Sequence, residues 1–241
     1  MIFDFSKKNI LITGSNSGNG LAIANAFIKL KANVIRIDKK FTNKIKSYDI
    51  VFDLENYSKI KKLKENIKLK FKKIDVIINN AGISIPSNNS YKNFDLYHRT
   101  LAVNLHSPFY IISYISEIMP KNSAVIQITS LGSKFGFKNN PSYQISKAGL
   151  AQLAKCAAID FQKKKIRFNN ICPGYIKTNM TIQSFKNKKK SKERIERSII
   201  KRWGVPNDLV GAVIFLSSNY SSYINGSTID IDGGWSINSA L

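Results

Sequence analysis

Cysteine and histidine are scarce in this 241-residue chain, with two of each. Cys156 and Cys172 lack metal-ligand spacing, and two thiols build no disulfide framework. Each sits in an apolar stretch, which predicts two buried thiols. His98 and His106 have no clear acidic partner in the sequence, so no metal site is expected. No apolar run reaches the roughly 18 residues of a membrane helix. No basic region followed by a long apolar core opens the chain, so it does not read as secreted, and a cytoplasmic location is expected. Repeats and Pro- or Gly-rich linkers are absent, and the length suits one sizeable core, so one domain over 1–241 is expected.

Acidic residues are also few: 15 Asp and Glu stand against 38 Lys and Arg, a net charge of +23. Such a balance can mark a partner of nucleic acid or of a membrane surface. Here the lysines are spread along the chain and accompany an excess of Asn and Ile, which reads as chain-wide compositional bias. Neither nucleic acid nor membrane is therefore expected as a partner. The densest basic run spans 186–192 and continues through Arg194, Arg197, Lys201 and Arg202. Such a run is usually a solvated helix face.

What the chain does have is alternation. Short β-rich runs at 9–13, 33–38, 49–53, 74–78, 124–128, 166–170 and 228–231 read as strands. Between them, 20–30, 57–71, 95–119, 141–161 and 207–216 show helical periodicity. This predicts an α/β fold of Rossmann type, a doubly wound parallel sheet with helices on both faces. Ligands of such sheets bind beyond the carboxyl ends of the strands.

The first strand runs into Thr13-Gly14-Ser15-Asn16-Ser17-Gly18-Asn19-Gly20 and then a helix. Glycines there allow a tight turn and close approach of backbone to a pyrophosphate. The helix start offers free amide groups and the positive end of its dipole. Asp38 closes the second strand, about 20 residues on, where a carboxylate accepts hydrogen bonds from a ribose diol and repels a 2′-phosphate. This favours NAD(H) over NADP(H). Lys39 and Lys40 follow directly, and a cation can neutralise that phosphate, so NADP(H) stays as the alternative.

Tyr143 and Lys147, four residues apart, share one face of a predicted helix. A free phenol titrates near 10, and a neighbouring ammonium is expected to lower that value. Ser130 follows a strand, where its hydroxyl can hold a substrate oxygen beside the phenol.

In these residues the chain resembles the short-chain dehydrogenase/reductase superfamily over essentially its whole length. The resemblance rests on Thr13-Gly14 with Gly18-Asn19-Gly20, on Asn79-Asn80-Ala81-Gly82, and on Asn104, Ser130 and Tyr143 with Lys147. It continues through Pro173-Gly174 with Thr178 to Asp232-Gly233-Gly234-Trp235. It implies a nicotinamide-dependent oxidoreductase that moves hydride between the cofactor and a hydroxyl or carbonyl carbon of a small substrate. Tyr143 would be the general acid/base and Ser130 would polarise the carbonyl. Lys147 would tune the phenol and bind the nicotinamide ribose. Asn104 would hold a water that extends a proton relay. Gly14, Ser17, Gly18, Asn19 and Gly20 would form the phosphate turn, and Asn80, Ala81 and Gly82 would line the adenosine side. Asp53 and Leu54 would lie near the adenine. Pro173, Gly174, Ile176 and Thr178 would enclose the nicotinamide and pyrophosphate. Asn19 departs from the family pattern, which usually has Ile or Leu there.

The segment 179–202 corresponds to the family's substrate lid, and its basic character invites an acidic substrate such as a sugar acid. Arg202-Trp203-Gly204 and the Asp232-Gly233-Gly234-Trp235 ending look like the gluconate-5-dehydrogenase-like branch. Reduction of a 3-oxoacyl thioester is the alternative. A cofactor-sensing or nucleic-acid-binding protein without turnover is a second alternative, of a different class. The stretches 95–119 and 141–161 carry more apolar surface than one core face requires. The family pairs such helices between subunits, so a homo-oligomer, tetramer or dimer, is expected.

Overall fold

The structure, a computed structural model, describes residues 3–239. Seven parallel strands form one sheet in the order β3-β2-β1-β4-β5-β6-β7. They are β1 Asn9–Thr13, β2 Asn33–Asp38, β3 Tyr48–Val51, β4 Val76–Asn79, β5 Ala124–Ile128, β6 Arg167–Pro173 and β7 Thr228–Ile231. The helices are α1 Gly18–Lys29, α2 Ile60–Phe71, α3 Phe94–Leu101, α4 Ser107–Ile115, α5 Pro141–Asp160, α6 Ile182–Lys186, α7 Lys188–Arg197 and α8 Asn207–Ser217.

Successive strand residues alternate between two cores because side chains project from a strand with period two. Leu11, Ile35, Ile77, Val125 and Phe168 pack against the apolar faces of α2, α4 and α5. Ile10, Ile12, Val34, Val76, Ile78 and Ile126 pack on the other face, against α1 and α8. Both faces are covered, which is why the strands read as continuous apolar runs. The strand order reverses direction between β1 and β4. A crevice opens at such a reversal, beyond the carboxyl ends of the strands.

The expected helix over 95–119 is two helices joined by a π-helical turn at Ala102–His106. Pro108 causes the break. Its nitrogen has no hydrogen to give the carbonyl of Asn104, and its ring crowds that oxygen in regular α-helix. The sixth strand reaches Pro173, beyond its expected end at 170. Its polar pair is buried and bonded: Asn169 donates to the Ile224 carbonyl at 2.9 Å, and Asn170 to that of Ala151 at 3.2 Å. Cys172 is buried as expected, but Cys156 is exposed on the outer face of α5. An apolar stretch in an amphipathic helix does not bury every residue in it, and Cys156 lies off the stripe formed by Leu150, Ala154 and Ala157.

No helix among the described residues is long and apolar enough to cross a membrane. Nor do three or more His, Cys, Asp or Glu side chains gather into a metal-binding group among them.

Candidate active site

β1 ends at Thr13, whose hydroxyl accepts the backbone N–H groups of Asn80 and Ala81 at 3.1 Å each. Asn80 returns its side-chain amide to the carbonyls of Thr13 and Gly14 at 2.9 Å. These bonds clamp the carboxyl ends of β1 and β4 together and leave no room for a side chain at Gly14 or Gly20. Gly14 has φ +62°, and a Cβ there would lie 2.7 Å from the Ala81 Cα. A Cβ on Gly20 would lie 2.2 Å from the Gly14 carbonyl oxygen. The Ser17 side chain makes no capping bond to the first turn of α1, so it does not compete for the helix's free amide groups. A backbone cradle with open N–H donors suits a pyrophosphate.

At the far end of this cradle, Asp38 accepts the backbone N–H groups of Asn16 at 2.9 Å and Lys39 at 2.8 Å. These bonds aim the carboxylate at the cleft. Lys39 also lines the cleft, and its ammonium is engaged by Glu55 at 2.8 Å and Asp53 at 3.2 Å. Glu55 also takes Arg99 at 3.1 Å. The Arg99 guanidinium and the Lys39 ammonium hold its carboxyl down at about 2.

Ser130, Tyr143 and Lys147 line one cleft with the glycine turn, about 330 Å³ in volume. Gly14, Ser17, Gly18, Asn19, Asp38, Leu54, Asn80, Ala81, Gly82, Pro173, Gly174, Ile176 and Thr178 share that wall. Three anticipated residues stand behind it. Gly20 supports the turn from below. Asp53 caps the following helical turn by accepting the Glu55 N–H at 2.9 Å. Asn104 commits its side chain to the Ile83 backbone, accepting at 2.8 Å and donating at 3.0 Å, and donates to the Ser146 hydroxyl at 3.0 Å. Asn179, Met180 and Thr181, from the start of the expected lid, join the wall, and so do Phe52, Ile83, Val103 and Thr129, which were not anticipated. These last four are apolar or small residues whose only sequence signal is position beside a motif.

The electrostatics of the pair differ from the sequence expectation. Burial pushes the Tyr143 phenol above its ordinary value, and the Ser130 hydroxyl bonded to it opposes this only in part. Lys147 is buried too, and burial brings its ammonium down to about 8. The ammonium donates to the Ile128 carbonyl at 2.7 Å and lies 5.9 Å from the centroid of the phenol ring. At that placement the desolvation of the phenol outweighs any pull from the ammonium. A Cβ on Gly82 would lie 3.4 Å from both Lys147 Nζ and Asn104 Oδ1, so glycine keeps the space between them open. Asn19 places its carboxamide oxygen in the wall of the turn, buried and without a hydrogen-bond partner among the described residues.

The basic segment has two faces. Lys188, Lys189, Lys190 and Lys192 face solvent. Two arginines turn inward: Arg194 lies 4.2 Å from the Tyr175 ring centroid, and Arg197 lies 3.9 Å from that of Trp235. Arg202 is exposed and pairs with Asp208 at 2.7 Å.

A family profile described as enoyl-(acyl carrier protein) reductase matches residues 14–236. The chain belongs to the short-chain dehydrogenase/reductase family. It is accordingly a nicotinamide-dependent oxidoreductase. It is 30% identical to 2-dehydro-3-deoxy-D-gluconate 5-dehydrogenase of Dickeya dadantii, over 97% of each chain. It is 34% identical to a 3-oxoacyl-[acyl-carrier-protein] reductase of Buchnera aphidicola, over 95% of this chain and 97% of that one. The structure of a gluconate 5-dehydrogenase from Burkholderia cenocepacia, in complex with NADP and tartrate, superposes with a TM-score of 0.90. That match covers 99% of this chain and 98% of the other, at 26% identity.

Proposed function

We propose that this enzyme interconverts a hydroxyl and a carbonyl on a sugar acid, using NAD(H), with Tyr143 as general acid/base. The observation that carries the reading is the gathering of Ser130, Tyr143 and Lys147 on the wall of the cleft that the glycine turn opens. Bound in that cleft, the nicotinamide dinucleotide supplies the hydride or takes it up. Gly14, Ser17, Gly18 and Asn19 hold its phosphates, and Asp38 takes the adenosine ribose. Leu54, Asn80, Ala81 and Gly82 line the adenosine side, while Pro173, Gly174, Ile176 and Thr178 enclose the nicotinamide end.

In reduction, the Tyr143 phenol gives its proton to the substrate oxygen, and the Ser130 hydroxyl donates a hydrogen bond to the same atom. The raised phenol suits this direction, since it keeps the proton in place at neutral pH. In oxidation the same groups run in reverse. Lys147 hands on the proton that Tyr143 needs. The Asn104 carbonyl, denied the N–H of residue 108 by proline, holds a water that continues the relay. Positioned proton transfer of this kind accelerates reaction by roughly 10²–10⁴-fold.

Two residues together support NAD(H). Asp38 presents a carboxylate to the ribose, and Lys39, though it lines the cleft, is already engaged by Glu55 and Asp53 and so is less available to a 2′-phosphate. For the substrate, support comes from the inward arginines of 179–202, which we read as a lid of the same domain, and from the sugar-acid relatives. The Buchnera relative supports 3-oxoacyl thioester reduction as the rival reading. Turnover on 5-keto-D-gluconate compared with acetoacetyl thioester separates the two, and preference for the thioester refutes the sugar-acid reading.

We further infer a homo-oligomer joined through α4 and α5. Phe109, Ile145 and Ile159 are all at least half exposed there, and Cys156 lies exposed beside them. Light scattering that finds a monomer at micromolar concentration overturns this.

A further inference from the structure

We propose that Gln144 is a positioning residue: it staples the strap between Ser130 and Tyr143 and so fixes the two hydroxyls against each other. This rests on the acid/base reading above and adds to it a residue that is not on the wall of the cleft. Ser130 and Tyr143 stand at the two ends of one connection, 131–142. Their hydroxyls must meet at one substrate oxygen, so the shape of that connection bears on the chemistry.

Three hydrogen bonds form the staple. The Gln144 carboxamide oxygen accepts the backbone N–H of Phe137 at 2.6 Å. Its NH2 group donates to the Phe137 carbonyl at 2.7 Å and to the Asn140 carbonyl at 3.0 Å. The side chain thus pairs with both polar groups of one residue, as an opposing residue of an antiparallel ladder does. Only a group that accepts on one side and donates on the other can make this set. An ionised glutamate has the same shape but no donor, and methionine has neither.

The staple passes beside the reacting groups. Gly132 marks the place: a Cβ there would lie 3.3 Å from Gln144 Cγ and 3.6 Å from both Ser130 Oγ and Tyr143 Cδ1. The Ser130 hydroxyl accepts the Gly132 N–H at 3.1 Å and is bonded to the phenol. Displacement of the strap at Gly132 is therefore passed directly to the Ser130 hydroxyl.

Other anchors hold the strap further out. Lys134 pairs with Asp230 of β7 at 2.6 Å, and Asn140 donates to the Ser84 hydroxyl at 2.9 Å. Gln144 ties the middle of the strap to α5. On the far side of the strap, Phe135 and Phe137 pack against Trp235, an aromatic wall of a second cavity, of about 220 Å³, beneath the lid.

Gln144→Glu and Gln144→Met test the staple. The first keeps the acceptor and loses the donor, and the second loses both. Each is assayed from pH 5 to 8 on whichever of 5-keto-D-gluconate and acetoacetyl thioester the wild-type enzyme reduces. Rates are taken relative to wild type at the same pH, which cancels the titration of Tyr143 and Lys147. At pH 8 kcat should fall about 30-fold in both variants, with NADH affinity within about 3-fold, since a shift of about 1 Å costs up to about 10²-fold. Towards pH 5, Gln144→Glu should recover to within about 5-fold of wild type, because a protonated carboxyl again donates as well as accepts. The two facing carbonyls disfavour the anion and raise the introduced carboxyl above its ordinary value near 4.3, which brings the recovery into this range. Gln144→Met should show no recovery, and should it not fold, the pH dependence of Gln144→Glu decides alone. A role in stability only would lower Tm while folded protein keeps the wild-type kcat; that result, or a Gln144→Glu defect independent of pH, overturns the proposal. Undiminished activity of Tyr143→Phe refutes the acid/base reading instead. Where that reading fails, or neither substrate is reduced, hydrogen exchange at the Phe137 amide tests the staple by itself. Exchange should quicken at least about 10-fold in Gln144→Met, and an unchanged rate overturns the staple.

Discussion

The two cavities of this enzyme are built in opposite ways. The catalytic cleft is made of strand ends and of a glycine turn that admits no side chain at Gly14 or Gly20, and Asp38 and Lys147 are held there by backbone groups. The cavity under the lid is made of side chains drawn from distant segments, with Tyr175, Trp203 and Trp235 as aromatic walls and Arg194 and Arg202 as its cations. The first arrangement fixes a cofactor common to a whole family. The second is free to change with the substrate, because replacing an arginine or an indole there leaves the sheet and the glycine turn untouched.

This contrast predicts where activity is lost and how. The largest effect belongs to the cleft. Tyr143→Phe removes the proton donor without altering the walls. It should lower kcat by roughly 10²–10⁴-fold while dinucleotide affinity stays within about 3-fold. Conversion at the wild-type rate, followed by dinucleotide absorbance, refutes the proposed chemistry. A parallel loss of dinucleotide binding would instead mean that the phenol is part of the cradle.

Next comes Lys147, whose burial has a signature in stability. Its folded value of about 8 lies below the ordinary 10.5. Between those values the unfolded chain binds a proton that the folded chain does not, so stability rises with pH across that window. Relative to Lys147→Met, the wild-type protein should gain about 3 kcal/mol between pH 8 and 10.5. Urea unfolding of both proteins across this range measures it. The difference between the two cancels the opposite trend of the Tyr143 phenol, whose raised value makes stability fall as pH climbs past 10. A difference independent of pH shows that the ammonium is not desolvated.

A smaller effect sharpens the cofactor side. In the pair Asp53→Asn with Glu55→Gln, Lys39 loses both acidic partners and Arg99 loses one. The ratio of NADP to NAD affinity should then rise about 10-fold, as a freed cation pairs with the 2′-phosphate. Wild-type protein that already binds NADP as tightly as NAD refutes the preference argued from Asp38.

The same contrast explains what the sequence could tell. The glycine turn was legible because a Cβ at 14 or 20 collides with backbone, and backbone collisions depend only on local conformation. Tyr143 and Lys147 were legible as one helix face from their spacing of four, while their roles and that of Ser130 came from the resemblance to the family. The sign of the phenol's shift was not, since burial depends on what covers the ring, and that comes from elsewhere in the chain. The break at Ala102–His106 escaped because the apolar periodicity continues through it. Pro108 was the available clue, a residue that removes one helical hydrogen bond whatever surrounds it. The inward turn of Arg194 and Arg197 had no local signal at all. Their partners Tyr175, Trp203 and Trp235 are gathered only by the fold, and a run of Lys and Arg reads as solvated until those rings are placed.

The lysines of that run test the last part of the contrast. Lys188, Lys189, Lys190 and Lys192 are exposed, and of them only Lys192 approaches a carboxylate among the described residues, Glu196 at 3.7 Å. Exposed charges act at long range and are screened beyond about 8 Å at physiological salt. Changing all four to Gln should therefore lower kcat/KM for an acidic substrate by only about 2- to 5-fold at low salt, through slower encounter. The effect should vanish near 0.5 M salt, where screening is complete within roughly 4 Å. Loss of Arg194, which stacks on the Tyr175 ring and lines the cavity under the lid, should resist the same salt. Salt-dependent kinetics of the two variants side by side decide the matter. A loss in the Lys variant that survives high salt would place those side chains against the substrate, and the division of the lid into an outer attracting face and an inner binding face would be wrong.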